Sequence, residues 1–324
     1  MKKRKLGSSD LEITRVGMGT WAIGGPDWEF GWGPQDDQDS VAAIHRALDL
    51  GINWVDTAAA YGLGRSEEVV GKALRGRREK VILATKCSLT WAPGERAIRH
   101  NLKAVSVRAE IEASLRRLAT DYIDLYQIHW PNPEPEIEEG WGEIARAVKA
   151  GKIRFAGVSN FSVAQMKRIA KIHPIASLQP PYSMLRRDVE PEILPFCKAN
   201  GIGVICYSPM QMGILSGRFT PERAAALPGN DQRSKRADYT EPVLSANLDL
   251  VEKLRPIAAG RSVGELAIAW VLRRPEVTAA IVGARRPSQI EELATASEWE
   301  LSPADVRRID SLLSEREKRI KPSA

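Results

Sequence analysis

The sequence predicts an α/β fold, namely a single (β/α)8 barrel of the TIM type that spans residues 1–324. Two observations predict it. Eight short runs rich in apolar and β-branched residues recur along the chain, and each run is followed by a segment with helical periodicity. Because near-continuous apolar strands indicate a parallel sheet covered by helices, and eight strand–helix units close a barrel, the pattern favours a closed barrel.

The strands carry the first part of this prediction. They are expected at residues 15–21, 52–57, 80–87, 122–130, 153–160, 175–179, 203–209 and 278–284. An open doubly wound sheet, the alternative, would favour a GxGxxG turn after an early strand. The first strand instead ends in GMGTWAIGG (17–25), which lacks that spacing, so the barrel is preferred.

Helices are expected between the strands. They are predicted at residues 40–50, 66–74, 107–118, 137–150, 163–172, 190–200, 263–273 and 289–296. Ser66 stands where a helix start is expected, while Gly51, Gly151 and Gly201 follow apolar stretches as stop signals. A connection of about fifty residues follows the seventh strand. A loop of that length is usually a functional lid or disordered. Within it, the sequence of residues 244–258 predicts an extra helix.

Composition narrows the possible functions. The chain has 47 basic and 41 acidic side chains, a formal net charge of +6, and no nucleic-acid-binding motif, so no nucleic-acid partner is expected. Cys87, Cys197 and Cys206 lack CxxC or metal-ligand spacing, which indicates buried thiols in a reducing compartment and no metal. Since neither a secretory signal nor an apolar segment of about 18 residues occurs, we expect a cytoplasmic protein without a membrane partner.

Polar side chains stand where several predicted strands end, which is where barrels of this type place their chemistry. Asp56 ends the second strand, Lys86 the third and His129 the fourth, and Tyr61 lies in the loop after the second. Taken singly, Asp56 is explained equally well as a helix cap, Lys86 as a snorkelling lysine, and His129 as a buried core residue. Their placement on consecutive strands predicts that all four meet at one rim of the barrel.

These four side chains suit proton donation to a carbonyl oxygen. An ammonium about 4 Å from a phenol is worth roughly 4 kcal/mol at an effective dielectric near 20, which would lower the pKa of Tyr61 from its usual ~10. Asp56 would keep Lys86 charged, and a neutral His129 would orient the substrate oxygen. Tyr61 is therefore the expected general acid.

The chain resembles the aldo-keto reductases, and among them an NADPH-dependent bacterial branch of general-stress and inositol type. The resemblance is carried by GMGTWAIGG (17–25), GINWVDTAAAYGLGRSEEVVGKAL (51–74), ILATK (82–86), DLYQIHWP (124–131), FAGVSNFS (155–162), YSPM with GILSG (207–217) and IVGARRPSQIEEL (281–293). It implies that Asp56, Tyr61, Lys86 and His129 form a catalytic tetrad. It also implies hydride transfer between NADP(H) and a small aldehyde or ketone; the resemblance leaves the oligomeric state undetermined.

The same resemblance implies which residues contact the cofactor. They are Thr20, Trp21, Asp56, Ser159, Asn160, Gln179, Tyr207, Ser208, Met210, Gly213, Leu215, Gly217, Arg218, Arg233, Gly283, Arg285, Gln289 and Glu292. Many family members have Lys-Ser where this chain has Gly283 and Ala284, so Arg285 or Arg286 is expected to grip the 2′-phosphate. NADP(H) is the expected cofactor, with NAD(H) as a weaker alternative.

An apolar substrate pocket is expected from the tryptophans at strand ends and in the following loops. They are Trp21, Trp28, Trp32, Trp91 and Trp130. Such a pocket predicts a broad range of aromatic and aliphatic aldehydes. The sequence leaves three alternative functions: a cofactor-sensing subunit like the β subunits of potassium channels, a Schiff-base aldolase using Lys86, and a metal-dependent hydrolase. The complete set of four side chains argues against the cofactor sensor, and a charged Lys86 argues against the aldolase. The lack of His-x-His on the first strand argues against the metal-dependent hydrolase.

Overall fold

A computed structural model describes residues 1–229 and 231–320, and in it eight parallel strands close into a barrel. The strands are Val16–Gly19, Trp54–Asp56, Ile82–Cys87, Ile123–Ile128, Ile153–Ser159, Ser177–Gln179, Gly203–Cys206 and Val277–Gly283. Each pairs with the next in sequence order, and the eighth pairs with the first, Val282 opposite Met18. The predicted (β/α)8 barrel is confirmed, since each predicted strand overlaps an observed one.

Helices cover the outside of the barrel. They are α1 (Asp37–Asp49), α2 (Arg65–Ala73), α3 (Ala104–Leu118), α4 (Ile137–Lys149), α5 (Val163–Ile169), α6 (Ile193–Ala199), α7 (Pro221–Ala225), α8 (Val243–Ala258), α9 (Val263–Leu272), α10 (Pro287–Ala294) and α11 (Pro303–Ile320). The predicted extra helix is α8. Ser66, expected at a helix start, lies inside α2, whose N-cap is Gly64. Its hydroxyl donates instead to the Thr20 hydroxyl over 2.8 Å, because Ser66 faces the barrel rim.

A hairpin that the sequence analysis missed closes the bottom of the barrel. Its strands, Lys3–Lys5 and Glu12–Thr14, pair antiparallel ahead of the first barrel strand. The indole of Trp54, buried inside the barrel, donates to the Thr14 carbonyl oxygen over 2.9 Å. The hairpin strands, KRK and EIT, are short and mostly charged or polar, so they lack the apolar runs that reveal the barrel strands. The hairpin leaves the opposite, C-terminal rim as the open end of the barrel.

The described residues of the long segment after the seventh strand, 207–229 and 231–262, include regular helices and turns. The segment contains α7, α8 and three 3₁₀ turns at Gln211–Ser216, Gln232–Lys235 and Ala237–Tyr239. Tyr239 packs the segment against itself: its ring centroid lies 5.1 Å from that of Phe219, and its hydroxyl donates to the Met212 carbonyl oxygen over 2.8 Å. Residues of the segment, among them Met210, Arg233 and Arg236, line the cavity at the C-terminal rim.

Three further findings concern membrane spans, metal sites and cysteines. None of the helices within residues 1–229 and 231–320 combines the length and apolar character needed to cross a membrane. The same residues contain no group of three or more His, Cys, Asp or Glu side chains arranged to hold a metal ion. Cys87, Cys197 and Cys206 are buried free thiols, and burial raises the pKa of Cys197 to about 12.

Candidate active site

Asp56 and Lys86 form a buried ion pair at the C-terminal rim. They end neighbouring, hydrogen-bonded strands, so their side chains project into the same end of the barrel. The Lys86 ammonium donates to Asp56 Oδ2 over 2.6 Å and to the Thr57 carbonyl oxygen over 2.8 Å. Because at most 3% of either side chain is exposed, the pair is held in one geometry without competing water.

The second oxygen of Asp56 is also satisfied. Gln179 Nε2, from the sixth strand, donates to Asp56 Oδ1 over 2.8 Å, and Gln127 Nε2, from the fourth, lies 3.4 Å from the same atom. A buried carboxylate needs such additional donors to offset its lost hydration. Gln127 was not predicted, because it precedes the end of its strand and the sequence analysis examined strand ends only.

Tyr61 and His129 complete the cluster. The Lys86 ammonium donates to the Tyr61 hydroxyl over 3.4 Å, and the Tyr61 and His129 rings meet edge to face with centroids 5.7 Å apart. The loop that carries Tyr61 needs glycine next to it: Gly62 has φ of 64°, and a Cβ there would lie 2.0 Å from the Gly24 carbonyl oxygen. The structure thus brings all four predicted side chains together.

Burial controls the proton affinities in this cluster. It raises the pKa of Tyr61 well above 10, and the Asp56 carboxylate adds to that rise. It lowers the pKa of Lys86 against the opposing effect of Asp56. Burial, reinforced by the Lys86 charge, also lowers the pKa of His129 well below 6.5. The expected lowering of the Tyr61 pKa is therefore wrong, because burial and the Asp56 carboxylate both raise it. Tyr61 keeps its proton and His129 stays neutral at neutral pH.

A cavity of about 750 Å³ opens beside Tyr61 and His129. Most residues predicted to contact a cofactor line it, namely Thr20, Trp21, Asp56, Ser159, Asn160, Gln179, Tyr207, Ser208, Met210, Gly213, Arg218, Arg233, Gly283, Arg285, Gln289 and Glu292. Two others do not line it. Leu215 is fully buried in the core. Gly217 lies against Val263, so that a Cβ added at Gly217 would be 3.3 Å from the Val263 side chain.

A hydrogen-bonded chain forms one wall of this cavity. The Tyr207 hydroxyl donates to Asn160 Oδ1 over 2.9 Å, and Asn160 Nδ2 donates over 3.0 Å to the carbonyl oxygen of His129. Asn160 adopts a φ of 64°, a left-handed conformation that asparagine tolerates better than most residues. The amide and phenol groups are thereby fixed in place before any ligand binds.

The cavity is rich in arginine. Its lining includes seven arginines, Arg186, Arg218, Arg223, Arg233, Arg236, Arg285 and Arg286, against four carboxylates, Asp36, Asp39, Asp56 and Glu292. Arg186, Arg223 and Arg236 were missed, because the sequence does not reveal which loop side chains turn toward the cavity. An excess of guanidinium groups in a concave site favours an anion such as a polyphosphate.

Aromatic rings surround Tyr61 on the other side. Trp28 lies 5.9 Å from the Tyr61 ring, Trp32 lies 5.4 Å from Trp21, and Trp130 is exposed at the cavity rim. Of the five tryptophans expected in the substrate pocket, Trp21, Trp28, Trp32 and Trp130 line the cavity. Trp91 is not among the lining residues; its ring instead lies 5.9 Å from the Arg117 guanidinium.

Comparisons with known proteins show which family the chain is similar to. A family model described as the Aldo/keto reductase family matches residues 15–314. The chain is 41% identical over 318 residues to the aldo-keto reductase YhdN of Bacillus subtilis, covering 97% of this chain and 94% of that protein. It is 36% identical over 320 residues to the NADH-specific methylglyoxal reductase of Escherichia coli, covering 94% and 96%.

Solved structures give the same result. The glycerol dehydrogenase AKR11B4 from Gluconobacter oxydans superposes with a TM-score of 0.89 at 36% identity, covering 99% of this chain and 98% of that one. The holo form of the aldo-keto reductase AKR11C1 from Bacillus halodurans superposes with a TM-score of 0.81 at 31% identity, covering 96% of each chain.

Proposed function

The chain belongs to the aldo/keto reductase family and is an oxidoreductase that uses a nicotinamide cofactor, and from that premise we propose that Tyr61 is the general acid with which it reduces aldehydes or ketones to alcohols. One observation carries this proposal. The buried Lys86 ammonium contacts both Asp56 and the Tyr61 hydroxyl, at the edge of a cavity large enough for a cofactor and a small substrate. A phenol in that position can donate a proton to a carbonyl oxygen as negative charge develops on it.

In this proposal each of the four side chains has its own task. Tyr61 donates the proton, and Lys86 stabilises the negative charge left on the phenol oxygen afterwards. Asp56 holds the Lys86 ammonium in place through their 2.6 Å contact. His129, neutral because of its lowered pKa, orients the carbonyl oxygen by a hydrogen bond. A bound nicotinamide would supply the hydride to the carbonyl carbon.

We further propose NADP(H) as the preferred cofactor, with Asn160, Gln179 and Tyr207 beside the nicotinamide. Arg218, Arg233, Arg285 and Arg286, which line the cavity, fit its phosphates. Arg285 already contacts Gln35 and the Pro34 carbonyl oxygen, so Arg286 has the freer side chain of the two for the 2′-phosphate. Gln289 accepts hydrogen bonds from the backbone N–H groups of Arg285 and Arg286, which fixes the turn that presents both arginines.

Replacing both Arg285 and Arg286 with alanine is expected to weaken NADPH binding by roughly ten- to a hundredfold while changing NADH binding much less. The reason is that a guanidinium–phosphate hydrogen bond is worth roughly 1.5–3 kcal/mol, and only NADPH carries the 2′-phosphate. Quenching of tryptophan fluorescence by each cofactor measures both dissociation constants. Equal losses for NADPH and NADH would show that these arginines do not read the 2′-phosphate.

The pH dependence of kcat/KM should differ between the two reaction directions. Carbonyl reduction needs a protonated Tyr61, whose pKa lies above 10, so kcat/KM for reduction should stay level from neutral pH up to about pH 10. Alcohol oxidation needs the deprotonated phenol and should rise throughout that range. Protonation of His129 should lower reduction only below pH 6.5. A reduction rate that already falls between pH 7 and 8 would contradict Tyr61 as the acid.

A further inference from the structure

The loop after the sixth strand brings an arginine to the cavity that the proposed cofactor site does not use. Pro181 pairs with Tyr207, and the Tyr182 amide donates to the Tyr207 carbonyl oxygen over 3.2 Å, so this loop lies against Tyr207. Arg186 follows in a turn closed by two hydrogen bonds with Ser183, of 3.1 and 3.2 Å. Arg186 itself lines the cavity.

A polar bridge joins this loop to the long segment after the seventh strand. Ser183 donates to Gln211 Oε1 over 2.8 Å, and Gln211 Nε2 donates to Asp238 over 2.8 Å. Arg236, two residues before Asp238, also lines the cavity. The bridge therefore fixes two loops that each present one guanidinium to the same cavity.

Neither guanidinium is well neutralised by the protein. The carboxylate near Arg186 is Asp188, at 3.7 Å and with 86% of its side chain exposed. Within residues 1–229 and 231–320 no carboxylate oxygen lies within 4.0 Å of the Arg236 guanidinium, which contacts Met212 Sδ at 3.3 Å. A weakly paired arginine facing a cavity is suited to a ligand anion.

The carboxylates of the cavity do not compensate for this charge. Asp56 is paired with Lys86, Glu292 with Arg218, and Asp36 caps helix α1 by accepting from two backbone amides. Asp39, the fourth lining carboxylate, forms no ion pair within 4.0 Å with Arg186 or Arg236. Arg218 is thus held against α10, on the wall that also carries Arg285 and Arg286. Arg186 and Arg236 lie instead on the wall next to Tyr207, which is connected to His129 through Asn160.

We propose that Arg186, with Arg236, forms a subsite for an anionic group on the carbonyl substrate, so that preferred substrates carry a carboxylate or phosphate as well as the aldehyde or ketone. This inference rests on the proposed function. The electrostatics at Tyr207 support it: burial raises the pKa of Tyr207 to about 12, and the positive charges of Arg186 and Arg236 oppose that rise. Both charges therefore act at the phenol beside the reacting groups.

Matched substrates test the subsite. With NADPH, kcat/KM is measured for 4-oxobutanoate against butanal and for glyceraldehyde 3-phosphate against glyceraldehyde, in wild type, Arg186→Gln and Arg75→Gln. Arg75 is an exposed arginine that does not line the cavity, so it controls for net charge. We expect wild type to prefer the anionic partner of at least one pair by roughly tenfold or more, the strength of one charge-assisted hydrogen bond. The pair that shows the preference identifies carboxylate or phosphate.

Arg186→Gln should reduce that preference to near unity, and Arg75→Gln should retain it. Equal kcat/KM values for anionic and neutral substrates in wild type, or a preference that survives Arg186→Gln, would overturn the subsite while leaving carbonyl reduction intact. If no aldehyde is turned over, the proposed function fails separately. Succinate binding to the NADP⁺-saturated protein, followed by tryptophan fluorescence, then decides the subsite: weaker binding in Arg186→Gln supports it, and equal binding in all three proteins refutes it.

Discussion

Tyr61→Phe is expected to lower kcat for aldehyde reduction by roughly 10²–10⁴-fold, the usual contribution of a positioned general acid. The substitution removes only the hydroxyl that lies 3.4 Å from the Lys86 ammonium, and it keeps the ring that packs against Trp28 and His129. The aromatic wall of the cavity should survive, so NADPH binding should change by less than about threefold. Steady-state kinetics and fluorescence titration of each protein measure the two effects.

Tyr122→Phe is the matched control. Tyr122 does not line the cavity, and its ring lies under the Arg78 guanidinium at 4.1 Å, a contact that phenylalanine preserves. This variant should retain wild-type kcat. If Tyr61→Phe also kept most of its activity, another group would have to supply the proton, and the assignment of Tyr61 would be wrong.

Lys86→Met should affect both activity and folding. The ammonium is fully buried, and its removal leaves the Asp56 carboxylate buried with Gln179 as its one close remaining side-chain donor, at 2.8 Å. Breaking such a pair from one side costs roughly 3–5 kcal/mol of unfolding free energy. The Tyr61 oxygen also loses the charge that stabilises it after proton donation, so kcat should fall by roughly 10²-fold or more. Urea unfolding and steady-state kinetics measure the two losses.

A double variant separates these two roles of Lys86. Asp56→Asn combined with Lys86→Met removes the unpaired carboxylate, so it should regain a large part of the lost unfolding free energy. It should remain inactive, because the positive charge next to Tyr61 is still missing. Recovery of activity together with stability would show that Lys86 acts only in folding.

The barrel and the cluster of four polar side chains at its rim could both be predicted from the sequence, and for the same physical reason. Parallel strands place their ends at one rim, so Asp56, Lys86 and His129 had to converge once the strands were located. The barrel strands give a strong apolar signal in the sequence, because both of their faces are buried. The three-residue strands of the N-terminal hairpin carry no such signal, and they were missed.

Features that depend on burial and loop geometry were not predictable in the same way. The pKa of Tyr61 rises rather than falls, because its hydroxyl is buried and lies near the Asp56 carboxylate, and the sequence does not show how deeply that hydroxyl is buried. Arg186 turns into the cavity while Trp91 does not, a difference set by turns and packing between loops. Gln127 points toward Asp56 from within a strand, IDLYQI (123–128), whose six residues are all buried, and the sequence alone does not show which of its polar side chains faces the site.

Transfer of deuterium from labelled NADPH to a product alcohol tests the central claim most directly. The protein is incubated with an aldehyde and NADPH in which both hydrogens at C4 of the nicotinamide are replaced by deuterium, and the alcohol is analysed by mass spectrometry beside a Tyr61→Phe sample. We expect one deuterium on the former carbonyl carbon for each NADPH consumed in wild type, and almost no alcohol from Tyr61→Phe. NADPH that quenches the tryptophan fluorescence of wild type but yields no labelled alcohol with any aldehyde would contradict the account and favour a cofactor-sensing role.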